Sequence, residues 1–443
     1  MKTKKFKHYY LIGIGGIGLS GIAKILIKTG YKVTGSDISK NDQTKELEKL
    51  GAKINYKQIA ENITDDIEMV VASSAIPESN PEIIKAKELN IEVLKRNDFL
   101  KILTKDYKVI AIAGTHGKTT ASAMATHLLK IAGFDPTYLV GGVLNNYKTN
   151  SDAGKSKFFV IEADEYDWAF WGLNSYIALV NNIHYDHPDI FKNQNHYLEA
   201  FQGFVDRIKN DGYLVKNQTD KLSSKLNYKG NILEFDGNSN YQIKDFKPGI
   251  ESRFKIQNKN QEINLTSGLL GYHNAINWLG VKAIADILKI SDDVFAHAVK
   301  TFKGVERRMQ MFEINGNILY SDYAHHPDEV KAVIESLSKL GKNVIAIYQP
   351  HQISRTKILA NDYKNVFNEA KKVILLPFYV VREDPNQNFK IEDLKNIIAN
   401  KNVEIGKLDE IDKIVLDNLS PQNVVVLMTA GDAHQKMVEK LGL

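Results

Sequence analysis

Residues 114–120 read Gly-Thr-His-Gly-Lys-Thr-Thr, and what flanks them decides the fold. An apolar run, Val109–Ala113, leads in. A helix-like run, Ala121–Ile131, leads out, and Gly133 suits its end. Strand, tight glycine turn, Lys-Thr and helix together make a phosphate-binding loop. Backbone N–H groups at the helix N-terminus face the anion, and the helix dipole adds to the attraction. In this reading Gly114, Thr115, His116, Gly117 and Thr120 wrap the phosphates. Lys118 reaches the β- and γ-phosphates of ATP, and Thr119 offers its hydroxyl to Mg²⁺. The usual pattern wants a glycine five residues before Gly117, where Ile112 stands, so this is a compact variant, G-x-x-G-K-T-T.

Working outward, strand-like and helix-like segments alternate over most of the 443 residues, which argues α/β with mainly parallel sheets. Three blocks stand out, read as domains at 1–106, 107–302 and 303–443. The first opens with a strand (Tyr9–Ile12), a glycine turn, a helix (Ile17–Lys28) and a strand (Lys32–Gly35), a Rossmann-like start. The second is a central P-loop ATPase-like domain with further buried-strand candidates at Phe158–Ile161 and Tyr176–Val180. Its polar Lys209–Glu262 part reads as shorter antiparallel strands and turns. In the third, Asn343–Tyr348, Lys372–Leu376 and Val424–Met428 alternate with helical stretches, again Rossmann-like.

Composition narrows the partners. Hydrophobic residues at 43% and charged residues at 25% are ordinary for a globular chain. A net charge of +5 from 58 basic and 53 acidic residues is too small and dispersed to argue for nucleic acid. The Lys-rich start, Met1–Lys7, reads as a solvated tail. Cysteine is absent, so there is no disulfide framework or thiol chemistry, any metal site must use O and N ligands, and a cytosolic location fits. No apolar run is long enough to span a bilayer, and the start carries no cleavage-site pattern of a signal peptide. Partners are therefore expected to be small molecules, not nucleic acid or membrane, for a monomer or homodimer.

Several constellations sit at strand ends, where open α/β sheets bind ligands. Gly13-Ile14-Gly15-Gly16-Ile17-Gly18 satisfies G-x-G-x-x-G, and Asp37 follows where an acid meets a ribose. This suits NAD(P) or another nucleotide diphosphate such as a UDP-sugar; a packed glycine turn is the plainer alternative. Phe158–Ile161 ends in Glu162-Ala163-Asp164-Glu165-Tyr166-Asp167, and Tyr176–Val180 ends in Asn181-Asn182-Ile183-His184-Tyr185-Asp186-His187-Pro188-Asp189. Phosphate-bound Mg²⁺ takes few protein ligands and prefers oxygen, which suits a glutamate with an occasional histidine. Most of these acids read as solvated loop charges, and His184 as facing solvent. Asn274 and Asn277 share one helix face, fit to grip a base or phosphate or to cap the helix. Arg307 and Arg308 point differently, so at most one enters a given site; taken alone, ordinary surface pairing is the favoured reading. Ser321–Pro327 and Gln349–Arg355 place His and Arg at strand ends, a mixture suited to a small substrate bearing a carboxylate or an amine.

Together these pieces resemble the Mur ligases, ATP-dependent amide-forming enzymes of peptidoglycan synthesis. G-T-H-G-K-T-T, E-A-D-E, D-H-P-D, G-x-H-N-x-x-N, R-R and D-Y-x-H-H-P appear in the family's order over nearly the whole chain. G-I-G-G-I-G-L-S-G, Ser73–Glu82, Q-P-H-x-x-S-R at Gln349–Arg355 and Tyr379–Glu383 are similar to the branch acting on UDP-N-acetylmuramate and L-alanine. The resemblance implies ATP and Mg²⁺ as cofactors. It implies Lys118, Thr119, Glu162 and His187 at the phosphates and metal, and Asn274 and Asn277 on the adenine side. Arg308 and Asp322 match positions by which the C-terminal domain closes over ATP. Gly13, Gly15, Gly16, Gly18, Ser36, Asp37 and Ser74 would hold the UDP-sugar, and His325, His351 and Arg355 the amino acid, with His325 as proton acceptor. Gln352 replaces a frequent arginine, Trp168 a smaller residue and His184 a common acid. A tripeptide-attaching relative on the same sugar nucleotide, and more distantly an NAD-dependent oxidoreductase, are the competing readings.

Overall fold

The computed structural model describes residues 7–187, 190–258, 261–380 and 383–443, with Asp167 described by its backbone alone. The solvated start up to Phe6, Pro188 and Asp189 of D-H-P-D, and Arg382 therefore lie outside the described residues.

Three sheets carry the described chain. The first has the order Lys53–Asn55, Lys32–Ser36, His8–Ile12, Met69–Ala72, Glu92–Lys95, all parallel. His8–Ile12 is buried throughout, as a central parallel strand with both faces covered must be. The order reverses on either side of it, so the glycine turn after Ile12 opens at a topological switch point. Helix Ile17–Lys28 follows the turn, as expected from the sequence.

The second sheet is ten-stranded. Its phosphate-loop strand, Lys108–Ala113, runs parallel between Ser175–Val180 and Phe158–Glu162. The loop thus sits over the middle of a sheet, with helix Lys118–Ile131 behind it. Gly133 ends that helix in the left-handed region, φ +77°. Expected antiparallel strands within Lys209–Glu262 need correction. Tyr213–Asn217 pairs parallel with Ser175–Val180, and Asn231–Phe235 pairs parallel with Tyr213–Asn217. The polar sequence there reflects exposure, as along Asn231–Phe235, and does not report strand direction.

The third sheet has the order Gln310–Ile314, Asn317–Asp322, Asn423–Thr429, Asn343–Gln349, Ala370–Leu375, Val403–Ile405. Its first pair is antiparallel and the rest are parallel. Turns carrying His and Arg leave the carboxyl ends of its central strands.

The chain folds as two compact units. One runs to Asp245 and adds Phe254–Thr266 and His273–Phe302; the other is Phe246–Arg253, Ser267–Tyr272 and Lys303–Leu443. In the first unit the two sheets share one core, from Tyr9 and Leu11 through Leu26 to Val109, Phe159 and Leu214. Gly21 lets helix Ile17–Lys28 approach Leu139 and Ser151 of the second sheet's edge. The second unit builds its core on both faces of its own sheet.

Candidate active site

In the first unit the phosphate loop is shaped by two glycines. Gly114 has φ +142° and Gly117 φ +79°, conformations that L side chains rarely adopt. Space agrees with dihedral: a Cβ on Gly117 would lie 2.8 Å from Asn277 Oδ1, and one on Gly114 3.1 Å from the Asn182 carbonyl. Two asparagines at the end of strand Ser175–Val180 brace the loop. Asn182 accepts from the His116 N–H at 2.8 Å and donates to the His116 carbonyl at 3.0 Å. Asn181 donates to Asn277 Oδ1 at 2.9 Å, and Asn277 donates to Asn274 Oδ1 at 3.3 Å. Asn274 and Asn277 are therefore buried, with Asn277 set against the loop.

Lys118 folds back over the loop. Its ammonium donates to the Gly114 carbonyl at 2.7 Å and the Thr115 carbonyl at 3.2 Å. It also lies 3.0 and 2.8 Å from the two carboxylate oxygens of Glu165, whose side chain is 1% exposed. Tyr197 donates to the same carboxylate at 3.1 Å. Burial alone would lower the lysine's proton affinity, but Glu165, Asp164 and Glu162 outweigh it, so Lys118 is raised and stays charged. Beside it, Thr119 donates to Glu162 Oε1 at 3.1 Å, and the Gly141 N–H donates to Oε2 at 2.7 Å. His187, at φ +55°, places Nε2 3.9 Å from Glu165 and 3.8 Å from Asp186.

The expected set Lys118, Thr119, Glu162 and His187 is thus brought together, and Glu165 joins it. Glu165 stands in the quoted acidic run, but spacing alone does not say which acid is buried. Among the described residues no group of three or more acids and histidines is preassembled for a metal. Phosphate-bound Mg²⁺ takes one or two carboxylates and completes its shell with phosphate oxygens and water. Thr119 and Glu162 are the donors that fit. His184 is 62% exposed in its side chain, as expected, yet Nε2 lies 3.2 Å from Asp220 and its ring meets His116 edge-on at 5.4 Å.

At the first sheet, Gly13 (φ +79°) and Ile14 donate to the Ser36 carbonyl at 2.8 and 3.0 Å, which closes the glycine turn. Asp37 Oδ2 accepts from the Gly15 N–H at 2.8 Å, so this acid is held against the turn itself. Ser36 departs from the expectation of ligand contact: it is fully buried, and its hydroxyl donates to Glu82 at 2.6 Å. Glu82 is buried too, accepting from Tyr10 and Asn62 at 2.7 and 2.6 Å. Ser36 and Glu82 support the turn from beneath, while Ser74 is exposed.

In the second unit, buried Asp322 accepts from the Met309 and Ala324 N–H groups at 2.7 and 2.8 Å, joining the Arg-Arg segment to the His-His turn. Burial pushes its carboxyl up against the opposing pull of Arg308. Both guanidinium groups lie near the Tyr323 ring, at 4.7 and 5.1 Å from its centroid. They differ in anchoring: Arg307 also donates to the Thr429 and Gly431 carbonyls at 2.7 and 3.1 Å.

His325 and His351 meet with ring centroids 5.8 Å apart. His325 Nδ1 lies 3.0 Å from the Tyr323 carbonyl, the contact of a protonated Nδ1, which leaves Nε2 with its lone pair. Burial drives His325 down to about 4 despite Glu329, with Arg355 adding to the fall. Burial and Arg355 lower His351 as well. The expected trio His325, His351 and Arg355 is therefore one electrostatic group. Gln352 stands at φ +65°, its N–H donating to the Tyr379 carbonyl at 3.0 Å. Glu383 latches the next turn, accepting from the Ile353 and Ser354 N–H groups at 2.5 and 3.1 Å. The place of Glu383 in the sequence does not disclose this role, because its partners lie about thirty residues earlier. Beyond the latch lies an open cavity of about 480 Å³, lined by Ile353, Phe378, Gln387 and Phe389.

Family models match residues 8–108 (Mur ligase family, catalytic domain), 112–285 (Mur ligase middle domain) and 307–431 (Mur ligase, glutamate ligase domain). The chain belongs to the Mur ligase family. This Mur ligase is 38% identical to a UDP-N-acetylmuramate–L-alanine ligase of Hydrogenobaculum sp. (strain Y04AAS1), with 98% of both chains covered. It is 35% identical to the enzyme of the same name from Clostridium perfringens, with 96% of both covered. The crystal structure of UDP-N-acetylmuramate-alanine ligase from Thermotoga maritima superposes with a TM-score of 0.83 at 25% identity, covering 98% of this chain and 99% of that one. The three-sheet α/β fold is the one this Mur ligase was expected to have.

Proposed function

We propose that this Mur ligase joins L-alanine to the lactyl carboxylate of UDP-N-acetylmuramate, with ATP converted to ADP and phosphate, in peptidoglycan precursor synthesis. Likeness to L-alanine ligases along the whole chain supports this reading over tripeptide attachment. A murein peptide ligase from Psychrobacter arcticus, at 22% identity and TM-score 0.71, shares the fold. The observation that carries the chemistry is the phosphate loop with Lys118, Thr119, Glu162 and Glu165 converging on it.

A carboxylate does not acylate an amine at neutral pH, because oxide is a poor leaving group. Attack of the lactyl carboxylate on the γ-phosphorus gives an acyl phosphate and ADP. The amine of L-alanine then attacks the acyl carbon, a proton leaves the nitrogen and phosphate departs. Lys118 neutralises charge developing on the transferred phosphoryl group. Thr119 and Glu162 would hold Mg²⁺, which when bound supplies further neutralisation. The first glycine turn and Asp37 hold the UDP part. Arg308 is assigned to phosphate charge and Arg355 to the amino-acid carboxylate, for which a guanidinium fork is suited. His325, kept neutral by burial, presents Nε2 to the amine proton.

No described helix is long and apolar enough to cross a membrane; we place the reaction in the cytosol, where ATP is available. The test is phosphate release from ATP and UDP-N-acetylmuramate, screened with L-alanine, glycine, L-serine and the cell-wall tripeptide. L-Alanine should give the fastest release. Release with the tripeptide but not L-alanine would overturn the assignment.

A further inference from the structure

The last glycine of the first turn has a reason unlike the others. Gly18 lies inside helix Ile17–Lys28 and does not need left-handed backbone. The absent side chain leaves room for Arg96: a Cβ on Gly18 would fall on Nη1 and stand 3.3 Å from Cδ, so a larger residue would displace the guanidinium. Arg96 opens helix Arg96–Leu103, and its stem lies over the first turn of the nucleotide-binding helix. Its other terminal nitrogen, Nη2, is 3.4 Å from Asp164 Oδ2. Asp164 stands between Glu162 and Glu165, the acids that meet Thr119 and Lys118. One guanidinium therefore reaches from the sugar-nucleotide turn to the acids of the phosphate site.

This pair is not a closed structural bridge. The contact is long, and the Asp164 side chain is 44% exposed, a setting in which an ion pair exchanges readily. Arg96 Nε is buried, and among the described residues nothing accepts from it. A buried donor without a partner is costly, and is commonly satisfied by a ligand or water. A planar fork with an idle donor, between the sites of the two reacting partners, suits an anion with several oxygens.

We propose that Arg96 positions the sugar nucleotide by exchanging Asp164 for an anionic group of that substrate. The proposal rests on the reading of this chain as a ligase acting on UDP-N-acetylmuramate. Two groups share the required chemistry, the diphosphate and the lactyl carboxylate. Either way Arg96 ties substrate binding to the acidic strand end, because the displaced Asp164 lies beside the carboxylates expected to receive Mg-ATP.

The test uses the full-length enzyme as wild type, Arg96→Lys and Arg96→Met; methionine keeps much of the apolar stem. KM is measured for UDP-N-acetylmuramate and for ATP, and binding is measured for UDP, UDP-N-acetylglucosamine and UDP-N-acetylmuramate. Arg96→Met should raise the sugar-nucleotide KM about 10–100-fold, the scale of a charge-assisted hydrogen bond, with the ATP KM changed less than about 2-fold. Arg96→Lys should recover part of the loss. Weaker binding of all three nucleotides supports the proposal and assigns the contact to the diphosphate. Loss confined to UDP-N-acetylmuramate supports it and assigns the carboxylate. Unchanged affinities in Arg96→Met, or an equal rise in both KM values, overturns it and leaves Arg96 a brace for Asp164. Failure of wild type to bind or use UDP-N-acetylmuramate would instead overturn the ligase reading beneath it.

Discussion

Replacing Lys118 by methionine should do more than stop turnover. The ammonium is the cationic partner of Glu165, a carboxylate 1% exposed. Breaking a buried ion pair by deleting one member leaves an uncompensated charge and typically costs about 3–5 kcal/mol. The lower end applies here, because Tyr197 still donates to Glu165 at 3.1 Å. This opposes the common pattern in which removal of a strained functional charge stabilises a protein. Tryptophan fluorescence reads the effect cleanly: Trp168, Trp171 and Trp278 are the chain's 3 tryptophans, and all lie in the first unit. In urea titrations with a slope of about 3 kcal/mol/M, a loss of 3 kcal/mol moves the midpoint down by about 1 M. The double variant Lys118→Met/Glu165→Gln should regain most of that shift, since an amide does not need a cation, while remaining inactive. A single variant as stable as wild type, or a double variant as unstable as the single, would refute the reasoning. Either result would mean that the carboxylate is satisfied without the lysine.

Further expectations follow from individual contacts. Gly117→Ala forces a left-handed alanine, costing about 1–2 kcal/mol, and sets Cβ against Asn277 Oδ1, so ATP should bind roughly 10-fold more weakly or worse by calorimetry; unchanged affinity would exclude this loop from the nucleotide site. His434 is lowered to about 4 by burial and Arg307, so the folded second unit takes up this proton less readily than the unfolded chain. Stability from His434 is therefore full above pH 6.5 and lost as pH falls toward 4, by at most about 3 kcal/mol; His434→Gln should flatten the fall of Tm over that window, and an unaltered slope would contradict the burial argument. Glu383→Ala removes the acceptor for the Ile353 and Ser354 N–H groups, each contact worth about 1 kcal/mol, so the KM for L-alanine should rise about 5–30-fold with the ATP KM unchanged; equal changes in both would show that the latch only stabilises the fold.

What the sequence disclosed and what it hid divide along a physical line. Helix Ile17–Lys28, the strand into the phosphate loop and the Lys-Thr that follows were readable because apolar period, glycine placement and the chemistry of an anion-binding turn are all local. Glu165 was in view but not its role, because its partner Lys118 is 47 residues away and burial of one acid among several is decided by tertiary packing. Asn277 needed Asn181, 96 residues away, before it could be seen as bracing the loop. Ser36 misled for the same reason: a serine at a strand end beside a glycine turn suggests a ligand contact, yet Glu82, 46 residues on, claims the hydroxyl. The parallel pairing of Asn231–Phe235 was hidden because a strand that is largely exposed along its length does not carry the continuous apolar run that marks a buried parallel strand. Motifs therefore pointed to the groups proposed to react, whereas the supporting partners came only from the fold. Since those partners hold Lys118, the glycine turns and the His325–His351 pair in place, substitutions at Asn277, Glu82 or Glu383 should impair the reaction although none of them carries its chemistry.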